Sequence, residues 1–411
     1  MVLAIILFVI TLTTVLKLYL NYRQVVAIKS NYQQTPSAFA SKISTIDHQK
    51  AANYTLAKIG LDNQSIILDV LIFLGFSLGN GLNLINSIIA NHFQMSLSYE
   101  VLVMIAYMVV TGLIGLPFRL YSIFGIEQKF GFNKMTIKLF IIDSIKSMAI
   151  SAIIGIPLLY LIFWLMAIMG NSWWIWVWVV LAIFNLVALI IYPTIIAPLF
   201  NKFTSLEDSE LLDKITQLLK RCGFKVSGVF VMDGSKRSSH GNAYFTGLGK
   251  SKRIVFFDTL LKNLNHDEIQ AVLAHELGHF KHKHILKQII LSFGLSLVML
   301  CIASLLIYNP QLFSALNVNE INSANGLIIL SFALNFALFP LNPLFKYLSR
   351  KNEFEADSFA KKYTNANDLI SGLIKLYKDN ASTLTPDDLY VKFYYSHPPA
   401  TKRIANLEKP I

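Results

Sequence analysis

The sequence predicts a mainly α-helical, polytopic membrane protein with a small α+β segment outside the bilayer. Of its 411 residues, 54% are apolar and the mean hydropathy is +0.53, so lipid must supply much of the solvent. Seven apolar stretches recur along the chain, each near the roughly 20 residues that a spanning helix needs. Between the fifth and the sixth, over residues 200–264, this apolar character is lost and short β-patterned runs appear.

The stretches lie near 1–16, 65–90, 101–118, 147–169, 173–199, 286–308 and 325–345. The first is followed by Lys17 and Arg23 and lacks a basic start and a small-residue cleavage site, so it reads as a retained span. Asn80, Asn83 and Asn86 fall in the second, with Asn185 and Asn335 elsewhere. Polar groups at that depth must face protein or water, as interhelical hydrogen bonds or as the lining of a wet cavity. Trp173, Trp174, Trp176 and Trp178 cluster at one end of the fifth span, as an aromatic belt would.

Beyond the fifth span, Leu206–Lys220 is an amphipathic helix with Glu207, Asp208 and Glu210 early and Lys220 and Arg221 at its end, matching the helix dipole. Val226–Met232 and Lys252–Phe257 read as strands joined through Gly234, Gly241, Gly247 and Gly249. Residues 358–407 are helical with interruptions at Pro386 and Pro398-Pro399. Cys222 and Cys301 fall in a polar segment and a span, which argues against a disulfide.

A net charge of +12 raises the question of nucleic acid, but the charge follows the loops instead. Segments 17–64, 119–146, 200–285 and 346–411 are rich in Lys and Arg, whereas 91–100, 170–172 and 309–324 contain neither. The positive-inside rule then places the N-terminus outside and the C-terminus in the cytoplasm, in a bacterial plasma membrane or the endoplasmic reticulum. The organisation is five spans over 1–199 with cytoplasmic loops at 17–64 and 119–146, a cytoplasmic segment 200–285, two spans over 286–345 and a cytoplasmic segment 346–411.

Within the third of these regions lies His275-Glu276-Leu277-Gly278-His279. Asn265 and Glu268 form a capping box, and Ile269, Val272, Leu273, Leu277 and Phe280 recur at helical spacing, so both imidazoles project from one helix face and can reach one metal ion. Glu276 is placed to polarise a water in the metal's open position, the arrangement of a zinc peptidase. A further ligand is needed. Glu353 and Asp357 share a face at i and i+4 of a later helix, where one carboxylate can bind metal while the other accepts the free N–H of a ligand imidazole; Glu355 points elsewhere. His282 and His284 read as basic interfacial residues on a helix continuing into the sixth span.

H-E-L-G-H at 275–279, E-F-E-A-D at 353–357, G-S-K-R-S-S-H-G-N-A-Y at 234–244, K-R-I-V-F-F-D-T-L at 252–260 and Y-S-H-P-P at 395–399 together resemble the type 1 CAAX prenyl endopeptidases, which are integral-membrane zinc metallopeptidases. I-E-Q-K-F-G-F-N-K at 126–134 and Y-P-T-I-I-A-P-L-F-N-K-F at 192–203 extend the resemblance over most of the chain. It implies seven helices enclosing a hydrophilic cavity, a substrate-binding role for Asn242 on a β-edge, and oxyanion stabilisation by His397 and Arg403. On residues alone Asn242 reads as a turn residue.

The combined reading is a zinc endopeptidase with one Zn2+ per chain, bound by His275, His279 and Glu353. Glu276 serves as general base and Asp357 orients a ligand imidazole. Its partners are the bilayer and a prenylated or membrane-tethered peptide, with no nucleic acid. Two rivals are a quality-control protease of the same chemistry and a transporter or channel with structural zinc. An intramembrane protease would bury its H-E-x-x-H in a span, whereas Lys281, His282, Lys283 and His284 follow this one immediately.

Overall fold

The computed structural model describes residues 1–246 and 252–410; Gly247 and Gly249 of the expected turn lie outside that range. The chain begins with α1 (Val2–Ser30) and α2 (Thr45–Phe76), the latter capped by the Ser44 hydroxyl accepting from the Asp47 amide. A short α3 (Gly81–Ala90) leads to α4 (Leu97–Leu120), which runs on through a π-helical segment Tyr121–Glu127. Next come α5 (Ile137–Ile168) and α6 (Trp173–Ile191), the latter passing through a second π-helical segment into α7 (Ala197–Phe200).

The chain then forms β1 (Phe203–Ser205), α8 (Ser209–Cys222), β2 (Gly228–Met232), β3 (Ala243–Thr246), β4 (Arg253–Phe257) and α9 (Asp258–Asn263). After α10 (His266–Lys281) follow α11 (His284–Leu306), α12 (Pro310–Ala315) and α13 (Ser323–Leu338), which turns at Phe339–Leu341 into α14 (Asn342–Tyr363). The C-terminal helices are α15 (Ala366–Asp379), α16 (Asp388–Tyr394) and α17 (Ala400–Leu407).

Among the described residues, seven helical stretches are long and apolar enough to cross a membrane, the number expected. Their outward faces carry Leu113, Ile153, Ile183 and Ile290, all more than half exposed, as lipid-facing side chains would be. Within the bundle, Phe73, Tyr99, Phe163, Trp173, Phe313 and Phe336 are buried together. Trp173 is therefore core, and the Trp178 indole donates to the Phe293 carbonyl of α11 at 2.9 Å, so part of the expected aromatic belt turns inward.

The second span differs from the stretch 65–90. The spanning helix is α2, which ends at Phe76; Asn80, in a left-handed conformation with φ 68°, starts α3 as a separate element. The asparagines there tie the bundle end together. Asn83 Nδ2 donates to the Asn317 carbonyl at 2.7 Å, and Asn86 Nδ2 donates to Asn325 Oδ1 at 3.1 Å. Asn83 is thus tied to the turn before α13 and Asn86 to α13 itself, while Asn185 bonds within its own helix to the Leu181 carbonyl.

Four strands form one sheet in the order β1-β2-β4-β3, with β2 and β4 parallel and the outer pairs antiparallel. Only β2 and β4 are expected from sequence; β1 and β3, three and four residues long, are too short for alternation to register. Val229, Phe245, Ile254 and Phe256 bury one sheet face against Ile215 of α8, Ile269 and Leu277 of α10, and Ile404 of α17. β3 is an edge strand, and α10 packs beside it.

A close approach joins α13 to the end of α11. A Cβ built on Gly326 would lie 2.4 Å from Ile307 Cγ1 and 2.5 Å from its carbonyl oxygen. Gly326→Ala is expected to destabilise the bundle by about 1–3 kcal/mol, as overpacking does. The midpoint of thermal unfolding in detergent should fall; an unchanged midpoint would mean that α13 shifts freely.

Candidate active site

The site grows from α10. The Asn265 side chain accepts from the Glu268 amide while Glu268 accepts from the Asn265 amide, closing the capping box. Glu268 also takes hydrogen bonds from Ser371 and Lys375 of α15, both at 2.7 Å, which fixes where α10 starts. Helical periodicity then sets His275 and His279 one turn apart, with Nε2 atoms separated by 3.2 Å.

Helix α14 lies against the same turn of α10. A Cβ on Gly278 would come within 2.9 Å of Ala356 Cα and 3.1 Å of the Ala356 carbonyl, so glycine permits nearly backbone-to-backbone contact. Residues 353 and 357 flank that contact. Glu353 lies 3.3 Å from Nε2 of each histidine, through Oε2 to His275 and Oε1 to His279.

These separations fit a metal ion. Tetrahedral zinc with arms of 2.0–2.1 Å places its ligand atoms about 3.3–3.4 Å apart. Glu353 Oε2 is buried without a hydrogen-bond partner, a cost that a cation at the centre removes. The grouped residues are His275, His279 and Glu353. Three protein donors leave one position for water or substrate, unlike a closed structural site.

Each ligand imidazole has a second partner. His275 Nδ1 lies 2.8 Å from Oδ1 of the fully buried Asp357. Arg403 grips that carboxylate with Nε at 2.9 Å and Nη2 at 2.5 Å. Burial and the Arg403 charge disfavour a proton on His275, but Asp357 and Glu353 prevail and lift its imidazole to about 9. With Asp357 accepting from Nδ1, the tautomer that leaves Nε2 free for a metal is favoured. The expectation that Arg403 meets an oxyanion is narrowed: two of its nitrogens are committed to Asp357, and Nη1 lies 3.6 Å from Glu353 Oε2.

His279 meets His284, with Nδ1 atoms 3.0 Å apart. This corrects the interfacial reading of His284, which is buried. It also corrects the expected continuous helix: α10 stops at Lys281, and Lys283 takes a left-handed φ of 57° before α11 begins. His282 is exposed.

Glu276 is half-buried and faces a cavity of about 1080 Å³. Burial is the strongest influence on its carboxyl and pushes it above the usual carboxylate range, toward the values useful to a proton shuttle. His275, Asn242, His397 and Arg403 share the wall. His397 Nε2 lies 3.3 Å from Glu353 Oε1. Asn242 Oδ1 accepts from the amide of the next residue, Ala243, at 2.8 Å at the start of edge strand β3. Opposite stands a polar stripe of α2, Tyr54, Lys58, Asp62 and Ser65; none of the five asparagines singled out in the spans lines this cavity.

Sequence reasoning missed the anchor for the β3 loop. His240 Nε2 lies 3.3 Å from Glu127 Oε2, its Nδ1 3.0 Å from Asn380 Oδ1, and its ring stacks on Phe132 with centroids 4.4 Å apart. The Tyr54 hydroxyl donates to Glu127. Both motifs carrying these residues were visible, but nothing in sequence spacing links 127 to 240.

Residues 205–411 match peptidase family M48, and residues 21–202 match the CAAX prenyl protease N-terminal family with its five membrane helices. The chain belongs to peptidase family M48. This makes it a membrane zinc metalloendopeptidase by kinship as well as by geometry. A Saccharomyces cerevisiae protein named CAAX prenyl protease 1 is 35% identical, over 95% of this chain and 91% of its own length. The human protein named CAAX prenyl protease 1 homolog is 38% identical over 72% of this chain and 71% of its own. The crystal structure of S. mikatae Ste24p superposes with a TM-score of 0.92 at 32% identity, covering 100% of this chain and 99% of that one.

In this M48 chain the Gly278 contact sets the reach of Glu353. Gly278→Ala is expected to push α14 outward by tenths of an ångström and weaken metal binding about 10-fold or more, comparable with losing an outer support of a metal site. Zinc retained against a competing chelator would measure it; wild-type retention would show that α14 tolerates the methyl.

Proposed function

We propose that the protein cleaves peptide bonds near the C-terminus of prenylated, CAAX-type substrates at the membrane surface. The observation that carries this reading is the convergence of His275, His279 and Glu353 at tetrahedral spacing, with Glu276 beside them facing a cavity bounded by edge strand β3. The names of the relatives supply the substrate class.

One Zn2+ per chain, held by His275, His279 and Glu353, would act as a Lewis acid and make water a nucleophile at neutral pH. Glu276 accepts a proton from the attacking water and passes it to the leaving amine. The free edge of β3 offers backbone groups to an extended peptide, with Asn242 at its start. His397, which borders the cavity and Glu353, is the side chain we assign to donate to the developing negative charge. Arg403 acts through Asp357, holding the carboxylate that fixes the His275 tautomer.

The Lys and Arg distribution supports an N-terminus outside and the site and C-terminus in the cytoplasm, in the endoplasmic reticulum or a bacterial plasma membrane. Labelling single cysteines introduced at 95 and 350 in sealed vesicles should mark opposite sides; same-side labelling overturns the topology.

Glu276→Gln is expected to lower turnover by about 10²–10⁴-fold while zinc stays bound. Equal activity of variant and wild type ends the mechanism. A farnesylated C-a-a-X peptide should be cleaved at least ~10-fold more efficiently than its unprenylated twin, given the apolar area a prenyl group adds. Equal rates would move the reading to quality control of membrane proteins.

A further inference from the structure

His279 turns Nε2 toward His275 and Glu353, which leaves Nδ1 on the far edge of its ring. On His275 the matching atom meets a carboxylate directly. On His279 it meets His284 Nδ1 at 3.0 Å, and His284 Nε2 in turn lies 3.0 Å from Glu355 Oε2. His284 is only 4% exposed. Nothing in the cleavage chemistry above uses His284 or Glu355.

The contact exists because the chain breaks. In a continuous helix residue 284, five positions beyond 279, would stand about 140° round the axis and face away. Lys283 instead adopts φ 57°, a conformation that costs a non-glycine residue roughly 1 kcal/mol or more, and α11 starts with His284 folded back beside His279. The break therefore holds a strained residue where it delivers an imidazole to the metal-facing turn.

Hydrogen-bond direction along this chain is determined. With the Nε2 lone pair of His279 turned to the metal, its proton sits on Nδ1 and donates. His284 Nδ1 must then accept, so its own proton sits on Nε2 and donates to Glu355. A carboxylate can only accept when ionised, so Glu355 orients both rings.

We propose that His284 and Glu355 are positioning residues that lock the tautomer and ring orientation of His279 and so tighten metal binding. This rests on the metal site described under the proposed function. All three carboxylates of E-F-E-A-D then serve one centre from one helix: Glu353 directly, Asp357 through His275, and Glu355 through His284 and His279.

The test uses the full-length protein in detergent, with zinc affinity from chelator competition and the visible spectrum of the cobalt-substituted form. His284→Phe should weaken zinc binding by about 10–100-fold and alter the cobalt bands. Glu355→Ala, at a partly exposed position, should weaken binding in the same direction, and Glu355→Gln, which still accepts from His284, should restore most of it. Zinc affinity within twofold of wild type and an unchanged cobalt spectrum in Glu355→Ala would overturn the proposal and leave a merely structural contact, as would the same result in His284→Phe. Glu353→Ala separates the two readings: if it too keeps wild-type zinc affinity, the metal site itself is misassigned.

Discussion

The approach of α10 to α14 at Gly278 and Ala356 is the constraint on which the site depends. Two helices normally pack 8–10 Å apart with side chains between them, and carboxylates on one then meet the other only through long reach. Here glycine opposes a fully buried alanine, and a single added carbon would collide with backbone at 2.9 Å. Only at that separation do the short side chains of Glu353 and Asp357 arrive at two imidazoles whose spacing α10 has already set.

Around that contact, charge is balanced inside a low-dielectric interior. Buried carboxylates and imidazoles are expensive unless each polar atom has a partner. Asp357 has His275 and Arg403, and Glu268 has Ser371, Lys375 and the Asn265 amide. Oε2 of Glu353 is a buried carboxylate oxygen of this cluster without a hydrogen bond, and a cation between it and the two imidazoles would complete it.

Much of this was legible in the sequence where physics acts locally. The capping box, the apolar repeat of α10 and the i, i+4 spacing of 275/279 and 353/357 needed no tertiary information, and hydropathy alone gave the number of spans. What escaped depends on breaks and on long-range pairing. The starts of α3 and α11 are set by Asn80 and Lys283 in left-handed conformations; lysine does not announce one, and Asn80 is one of three asparagines in a largely apolar run, so the stretch 65–90 reads as one helix. His284 reads as interfacial only on a helix axis continued from α10, and the break at Lys283 removes that axis. Glu127 and His240, 113 positions apart, meet only because the π-helical end of α4 comes down on the loop before β3.

The cavity's two walls say what kind of catalyst this architecture suits. One wall is the peptidase unit, with Glu276, the zinc-ligand face and the start of β3; the other is α2, a membrane-spanning helix presenting Tyr54, Lys58, Asp62 and Ser65. A soluble peptidase needs no such second wall, and a channel needs no general base beside an open metal position. The stripe lies on the part of α2 before its apolar stretch, so one helix both enters the membrane domain and walls the cavity. On the proposed reading, a peptide at β3 would extend between protein backbone on one side and the membrane domain on the other, which suits a substrate whose anchor lies in the bilayer and whose reacting bond must be held beside it.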